Sequence, residues 1–479
     1  MKLKIIDIIK NNSFYDSLKK GSLLFFATII VNLINFISIP IFTSILSVSD
    51  YGIIEVTNNY IRLFLILFPL NTISSIAYFW YRKDIDNSKL ITSVLFISLV
   101  SFSIISAIFY LFQHPIAEFF NIPLFAFQLI PPIIFFGIIF GIINAIFIYN
   151  SDVKLNALQQ IFNTLLKVVV SLLLIVLIFK DYKGRLIGEI VGYVLLSILF
   201  IKYLKDYIQF KLDLNYIIKI FTYSVSIILL STSSFILNYF DTLMINNSLG
   251  NEKAGLYSYA YKISVIYFAF IQSFQVIFNV KYATFFHDNK TEDILSELKS
   301  LLKIVVLISG LFILLSKELG IILSINPEYE AALIICPIIV LGYFFCFIYD
   351  LYNIPLFHSK KIRNITIIIF ICGVLNILLN KYLIPIFDYK IASVNTLISY
   401  LVMAILGYLF CRFSTNFYIR IKTLIPTISI ILFYTITFYL LENLSLGFII
   451  TIIIKLCILL ISAIILFKNQ IKNFINTNG

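Results

Sequence analysis

The sequence predicts an all-α integral membrane protein with about fourteen transmembrane helices. Three observations support this fold class. Hydrophobic residues make up 61% of the 479-residue chain, charged residues make up only 13%, and the apolar stretches are long and uninterrupted. A soluble domain is nearer to half apolar and a quarter charged. Strands of membrane barrels alternate apolar and polar residues, whereas continuous apolar stretches of roughly 20 residues are typical of spanning helices.

Fourteen stretches are long and apolar enough to span a membrane. They are approximately residues 21–46, 53–80, 89–112, 126–149, 157–179, 186–203, 219–245, 255–280, 300–317, 330–352, 363–385, 391–411, 422–441 and 447–467. Residues 1–20 carry Lys2, Lys4 and Lys10 without a small-residue cleavage site, so they are predicted to form a cytoplasmic amphipathic lead-in. The predicted loops leave no room for a soluble catalytic domain, and we expect no enzymatic activity.

Basic residues are distributed unequally over the predicted loops. With a cytoplasmic N-terminus, 25 of the 36 lysine and arginine residues fall on the inner side, seven fall on the outer side, and four lie within spans. This positive-inside bias predicts that both termini are cytoplasmic, and we expect the chain in a bacterial cytoplasmic (inner) membrane. The net charge of +12 then follows from topology and gives no reason to expect a nucleic-acid partner.

The cysteines and histidines show no metal-binding or catalytic spacing. All five cysteines lie in apolar stretches, and the three histidines lie near the ends of predicted spans. Buried cysteines of this kind are usually small hydrophobic packing residues. We therefore expect no metal site, no cofactor and no catalytic residue.

A weak internal repeat relates the two halves of the chain. With an offset of 203 residues, Leu46 matches Leu249 and Gly52 matches Gly255. In each half, the leucine and the glycine flank a short polar turn between two spans. Six spans separate the two turns, so the halves have the same orientation, as in parallel-repeat transporters. The predicted fold is two six-helix lobes with two extra C-terminal helices. The predicted divisions are 1–20 (lead-in), 21–210 (N-terminal lobe), 211–415 (C-terminal lobe) and 416–479 (last two helices and tail).

Four basic residues lie inside predicted spans, namely Arg62, Lys167, Lys262 and Lys455. A cation at the centre of a bilayer costs about 3 kcal/mol on insertion scales, so it normally faces a cavity or a partner. Arg62 and Lys262 fall at similar depths in corresponding spans, which favours an anionic substrate. The alternative is that Arg62 pairs with Glu55 and that Lys262 reaches the interface. Lys167 lies near the middle of the fifth span and is predicted to face the cavity as a substrate-binding residue. Lys455 lies outside the repeat and could pair with a lipid headgroup or a neighbouring acid.

Polar neighbours complete the candidate cavity. Glu55, Asn59 and Arg62 share one face of the second span over two helical turns. Tyr259 in the eighth span could stack on sugar rings, although packing or an interfacial belt is the favoured explanation of tyrosine there. Glu55 and Asp241 are candidates for ion coupling, a role for which structural ion pairs are the alternative.

Residues 20–62 resemble the opening of the polysaccharide-export flippases, the Wzx-type O-antigen flippases of the multidrug/oligosaccharidyl-lipid/polysaccharide exporter superfamily. The resemblance rests on Gly21 after basic residues, on Pro40, on the turn 49–52 and on a similar turn at 248–257. It implies a flippase that moves an undecaprenyl-pyrophosphate-linked oligosaccharide from the cytoplasmic to the outer leaflet for surface polysaccharide assembly. The family is expected to use alternating access of two lobes around a cationic cavity.

The resemblance also implies site residues and partners. Related lipid II flippases use cations on their second and eighth spans, which places Arg62 and Lys262 as pyrophosphate contacts. Asn32 and Asn35 stand where the lipid II branch has an arginine pair, which favours the oligosaccharide branch. The implied partners are the lipid-linked oligosaccharide, the lipid bilayer and polysaccharide polymerase or chain-length machinery.

Other functions remain open at the level of sequence. A drug or organic-cation antiporter of the same superfamily would need an excess of acids in its cavity, whereas the candidates here are mostly basic. A lipid II flippase is a second alternative. A membrane polysaccharide polymerase or glycosyltransferase usually needs a long outer loop, which the predicted topology lacks, and intramembrane cations argue against a non-transporting scaffold.

Overall fold

The described part of the chain is helical almost throughout. The computed structural model describes residues 12–209, 211–287, 291–324, 326–415, 417–444 and 447–478, and these ranges contain seventeen α-helices and no strand. The first eight helices are α1 Asn12–Ile45, α2 Val48–Leu67, α3 Ile73–Phe79, α4 Asn87–Leu111, α5 Gln113–Phe119, α6 Leu124–Tyr149, α7 Val153–Leu174 and α8 Tyr182–Lys205. The others are α9 Leu214–Leu249, α10 Asn251–His287, α11 Thr291–Leu314, α12 Ser316–Leu323, α13 Cys336–His358, α14 Ile362–Phe387, α15 Ile391–Ser414, α16 Ile421–Asn443 and α17 Phe448–Asn478.

Most of these helices have the length and composition of membrane spans. Among the described residues, twelve helices are long and apolar enough to cross a bilayer, and the bent pair α11 and α12 brings the number to thirteen. Large aliphatic and aromatic side chains are exposed along many of them, as expected of surfaces that face lipid. The predicted all-α, multi-pass membrane fold is confirmed.

The second predicted span, 53–80, is two helices rather than one. α2 and α3 are separated by a turn in which Leu70 and Asn71 adopt the left-handed conformation, with φ of 51° and 55°. Pro69 starts this turn, and a proline has no N–H to continue the helical ladder. The sequence therefore signalled the break, but an apolar stretch on both sides hid it.

The ninth predicted span, 300–317, is also broken. α11 and α12 meet at a bend of 59°, with Leu315 between them at φ −102° and ψ 12°. Neither proline nor glycine lies at this bend, so hydropathy alone did not reveal it. The bend brings the short helix α12, which carries Lys317 and Glu318, towards the last two helices, as the ion pairs described below show.

The described residues form two compact units. Unit 1 runs to Phe235 and includes Gly250–Gly255, whereas unit 2 contains Ile236–Leu249 and everything from Leu256 onward. The lobe boundaries predicted from the repeat remain a prediction. Residues 1–11 of the predicted lead-in lie outside the described residues, and the remainder of it continues directly into α1.

Within unit 1, a glycine allows two helix starts to approach closely. α2 begins at Val48 and α10 at Asn251, which reproduces the 203-residue offset of the sequence repeat. A Cβ atom on Gly52 would lie 1.9 Å from the backbone oxygen of Asn251. No side chain fits at that distance, which explains why glycine stands at this position of the repeat.

Candidate functional site

Helix α2 presents the first intramembrane cation of the sequence. The Ser47 hydroxyl caps the helix by accepting a hydrogen bond from the Asp50 N–H at 3.0 Å. The negative charge of Asp50 in the first turn also interacts favourably with the positive end of the helix dipole. The polar face of α2 follows this first turn. Along it Glu55 is half-buried, Asn59 is buried and Arg62 is exposed on the protein surface. Arg62 is thus the most exposed of these three side chains.

Lys167 on α7 is held by an acid and an aromatic ring of α8. Its ammonium lies 3.2 Å from Oε1 of Glu189 and 3.2 Å from the centroid of the Tyr193 ring. The two charged side chains are only 10% and 13% exposed. A cation–π contact is strengthened in such a desolvated place. The ammonium of Lys167 thus has its partners inside the protein and does not extend to the membrane–water interface.

Arg185, four residues before Glu189 on α8, joins the same group of charges. Its guanidinium donates to the Ser171 hydroxyl at 3.0 Å and to the Lys167 backbone oxygen at 3.5 Å. Glu189 interacts electrostatically with Lys167, Arg185 and Arg62. We call Arg62, Lys167, Arg185 and Glu189 the unit 1 charge cluster. Glu55 and Arg185 both interact electrostatically with Tyr51. Even with Glu55 counted, the three cations outnumber the carboxylates, so the cluster is suited to an anionic ligand.

Three glycines at four-residue intervals let α8 lie against α7 at this point. Gly184 faces Ile175, Gly188 faces Ser171 and Gly192 faces Lys167. Small residues at this spacing allow helix backbones to approach closely in membranes. A Cβ on Gly192 would lie 2.5 Å from Cγ of Lys167. The glycine at 192 is therefore what leaves room for the lysine stem beside Glu189.

We expect Gly192→Ala to displace Lys167 and to destabilise the protein by about 1–3 kcal/mol through overpacking. The measurement is thermal unfolding of the detergent-solubilised protein. Gly342→Ala is the matched control, because a Cβ there meets nothing closer than 3.5 Å and gains helix propensity. Equal unfolding temperatures for the two variants would contradict the packing account.

Helix α10 carries the other candidate cation, Lys262, in unit 2. Lys262 is half-buried, and its role as a substrate contact stays a prediction. Tyr259, one turn earlier, has no exposed surface. Its hydroxyl donates to the Gly320 backbone oxygen at 2.5 Å, and its ring lies 4.6 Å from that of Tyr329. This placement favours a packing role for Tyr259 over sugar stacking.

Asp241 lies at the centre of a buried polar cluster in unit 2. The Tyr257 hydroxyl donates to Oδ2 at 2.8 Å, the Asn380 amide donates to Oδ1 at 2.6 Å, and the Thr396 hydroxyl donates to Oδ2. Asn380 in turn accepts from the Asn395 amide at 2.9 Å. The Asp241 cluster consists of Asp241, Tyr257, Asn376, Asn380, Asn395 and Thr396.

No basic residue of the described chain forms an ion pair with Asp241; the partners of its oxygens are hydroxyls and an amide. Four helices contribute to the cluster, α9, α10, α14 and α15. Carboxylate, amide and hydroxyl oxygens are the ligands that hard cations prefer. The cluster therefore has the chemistry of a site for a small cation or a proton.

Lys455, the fourth intramembrane cation, is paired with acids. Its ammonium lies 2.7 Å from Glu318 on α12 and 3.3 Å from Glu442 on α16. Lys317 approaches the other oxygen of Glu442 at 2.5 Å. Lys455 has no exposed surface. Lys455 therefore pairs with neighbouring acids and not with a lipid headgroup. These ion pairs connect α17 to α12 and α16 within unit 2.

Two members of the unit 1 charge cluster were not assigned to the site from sequence. They are Arg185 and Glu189, both on α8. Their four-residue spacing puts them on one helix face, and the glycines at 184, 188 and 192 signal close packing. That combination could have identified them.

Comparison with protein families identifies the broad relationship. The model of the polysaccharide biosynthesis protein family matches residues 17–278, which is more than half of the chain. The chain belongs to this family. The match covers all of the unit 1 charge cluster and Lys262. A comparison of the chain with curated proteins found no match.

Solved structures with the same fold are transporters. The lipid II flippase MurJ in an inward closed conformation matches with a TM-score of 0.70 and 16% identity, over 94% of this chain and 99% of that chain. An inward-facing multidrug-resistance MATE family transporter of the MOP superfamily matches with a TM-score of 0.62 and 14% identity, over 80% and 93%. A MOP superfamily transporter from Pyrococcus furiosus, described as having a binding pocket of reversed polarity, gives 0.54 and 14%, over 83% and 94%. At these identities the likeness shows that the polysaccharide biosynthesis protein has their fold.

Proposed function

We propose that this polysaccharide biosynthesis protein flips an undecaprenyl-pyrophosphate-linked oligosaccharide from the cytoplasmic to the outer leaflet of a bacterial inner membrane. The observation that carries the proposal is the unit 1 charge cluster, in which the Glu189 carboxylate pairs with Lys167 and interacts electrostatically with Arg185 and Arg62 within membrane-spanning helices. Cations in such places mark the paths of anionic substrates. The family and the fold of the neighbouring transporters support the same conclusion.

In the proposed cycle, Arg62 and Lys262 contact the pyrophosphate. The planar guanidinium of Arg62 suits two phosphate oxygens at once, whereas Lys262 supplies a point charge. The protein acts as a transporter and not as an enzyme. Surface polysaccharide assembly, with a polymerase or chain-length machinery as partners, is the proposed setting.

We propose Asp241 as the residue that takes up the coupling cation, a proton or an alkali-metal ion. Desolvating an ionised carboxylate without a cation costs several kcal/mol. Its hydrogen-bond donors are neutral, and their oxygens could turn towards a bound ion. Glu55 is the other candidate for ion coupling. Both Glu55 and Arg185 interact electrostatically with Tyr51. The positive charge of Arg185 in the same surroundings reduces the need of Glu55 for an external cation, so Asp241 is favoured.

Lipid II flipping is the second candidate, because the neighbour with a TM-score of 0.70 is a lipid II flippase. Both substrates carry the same pyrophosphate, so the cationic residues do not separate them. The test is complementation. Expression should restore surface polysaccharide in a strain that lacks its oligosaccharide flippase and should not support growth of a strain that lacks its lipid II flippase. The reverse result would establish the second candidate.

Arg62→Ala and Lys262→Ala are each expected to reduce export of the lipid-linked oligosaccharide by about tenfold or more, since each removes a charged contact to the pyrophosphate. The measurement is surface polysaccharide in the complemented strain, with membrane levels of each variant checked by immunoblot. Lys281→Ala is the control, because this exposed lysine pairs at 2.7 Å with Glu297 on the protein surface. Normal export by the Arg62→Ala/Lys262→Ala double variant would remove both residues from the site.

A further inference from the structure

Glu189 occupies an unusual position for an acid in a membrane helix. One of its oxygens, Oε1, accepts from Lys167 at 3.2 Å. The other, Oε2, is buried and has no hydrogen-bond partner. Buried polar atoms normally have a hydrogen-bond partner, so a buried oxygen without one needs an explanation. The carboxylate thus interacts electrostatically with three cations but accepts a hydrogen bond from only one of them, Lys167.

The neighbouring cations are held by different means. Arg185 has its own anchors in the Ser171 hydroxyl and the Lys167 backbone oxygen, and its guanidinium lies 5.1 Å from the Phe42 ring. The Lys167 ammonium has the Tyr193 ring on one side. These contacts would keep both cations in place if the carboxylate turned away. The cations are therefore fixed, whereas Glu189 has a single hydrogen bond to break.

The charge of Glu189 matters for whatever anion reaches these cations. A carboxylate beside Lys167 and Arg185 lowers the cost of keeping cations inside the membrane. The same carboxylate repels an incoming phosphate. A phosphate, with more oxygens and more charge, could bond the two cations in place of Glu189. The side chains of the Lys167–Glu189 pair are 10% and 13% exposed, so the pair is not completely enclosed.

We propose that Glu189 is an internal counter-ion, which the phosphate group of a lipid-linked substrate replaces at Lys167 and Arg185. This inference rests on the proposed flippase function and extends its site to Lys167, Arg185 and Glu189. Return of Glu189 to the cations then expels the phosphate and resets the empty transporter. Glu189 therefore limits affinity in order to permit release.

The test measures binding of undecaprenyl pyrophosphate to the purified protein in nanodiscs of neutral lipid. Glu189→Gln is expected to bind this probe roughly tenfold more tightly, because one repelling charge is removed at short range. It is also expected to flip the lipid more slowly, since release slows. Glu297→Gln is the control, because it removes the same charge from an exposed pair with Lys281. Undecaprenol, which has no phosphate, should show no difference between variants.

A second pair of variants tests the proposal if Glu189→Gln alone fails to fold. Lys167→Gln should weaken binding because a cation is lost while the repelling carboxylate stays. Adding Glu189→Gln to it should restore affinity, and it leaves two neutral amides that can bond each other. Unchanged affinity on removal of Glu189, in either background, would overturn the counter-ion proposal alone. Failure of the unaltered protein to bind undecaprenyl pyrophosphate would instead overturn the proposed function.

Discussion

Lys455→Met is expected to destabilise unit 2 by roughly 3–5 kcal/mol, which is the usual cost of removing one partner from a buried ion pair. Lys455 has no exposed surface and touches two acids, Glu318 at 2.7 Å and Glu442 at 3.3 Å. Without it, Glu318 loses its cation inside a membrane helix. Glu442 keeps Lys317, which lies 2.5 Å away.

Thermal unfolding of the solubilised protein measures this effect. Lys317→Met is the matched control: the Lys317 side chain is 37% exposed, and partly exposed pairs contribute about 1 kcal/mol or less. Lys455→Met/Glu318→Gln should recover part of the loss because the stranded charge is removed. An unfolding temperature for Lys455→Met equal to that of the unaltered protein would show that the network does not fasten α17.

Asp241→Asn is expected to abolish the response of transport to an ion gradient while the protein still folds. The asparagine amide keeps the size and much of the hydrogen bonding of the carboxylate but cannot bind a proton or a metal cation through its charge. Flipping should therefore become independent of both a pH gradient and a sodium or potassium gradient. The measurement is flipping in proteoliposomes with each gradient imposed separately.

The control for this variant is a polar substitution elsewhere in unit 2. Ser309 accepts or donates a hydrogen bond with Tyr267 at 2.8 Å and takes no part in the Asp241 cluster. Ser309→Ala should keep the response to the gradient. A gradient response retained by Asp241→Asn would remove this residue from ion coupling.

The sequence was sufficient for the fold class because hydropathy is a property of single helices. Continuous apolar stretches identify spans whatever they pack against. Two of these stretches are each broken into two helices, and the two breaks have different causes. Pro69 marks the first in the sequence, whereas the bend at Leu315 has no local cause of that kind. The ion pairs that α12 makes across unit 2 accompany the second bend.

The intramembrane cations were visible in the sequence, but most of their partners were not. Lys167 and Glu189 lie 22 residues apart, and Lys455 and Glu318 lie 137 residues apart. Such pairs depend on which helices pack together, and hydropathy does not contain that information. The same limit hid the Asp241 cluster, whose asparagines and threonine come from helices far along the chain.

The central claim is tested most directly by reconstituting the purified protein into liposomes that contain a fluorescent undecaprenyl-pyrophosphate-linked oligosaccharide. A membrane-impermeant reagent then reports how much of the lipid has crossed to the other leaflet. We expect crossing to be fast with the unaltered protein and near the protein-free rate with Arg62→Ala/Lys262→Ala. Crossing at the protein-free rate with the unaltered protein, under every ion gradient imposed, would contradict the flippase function.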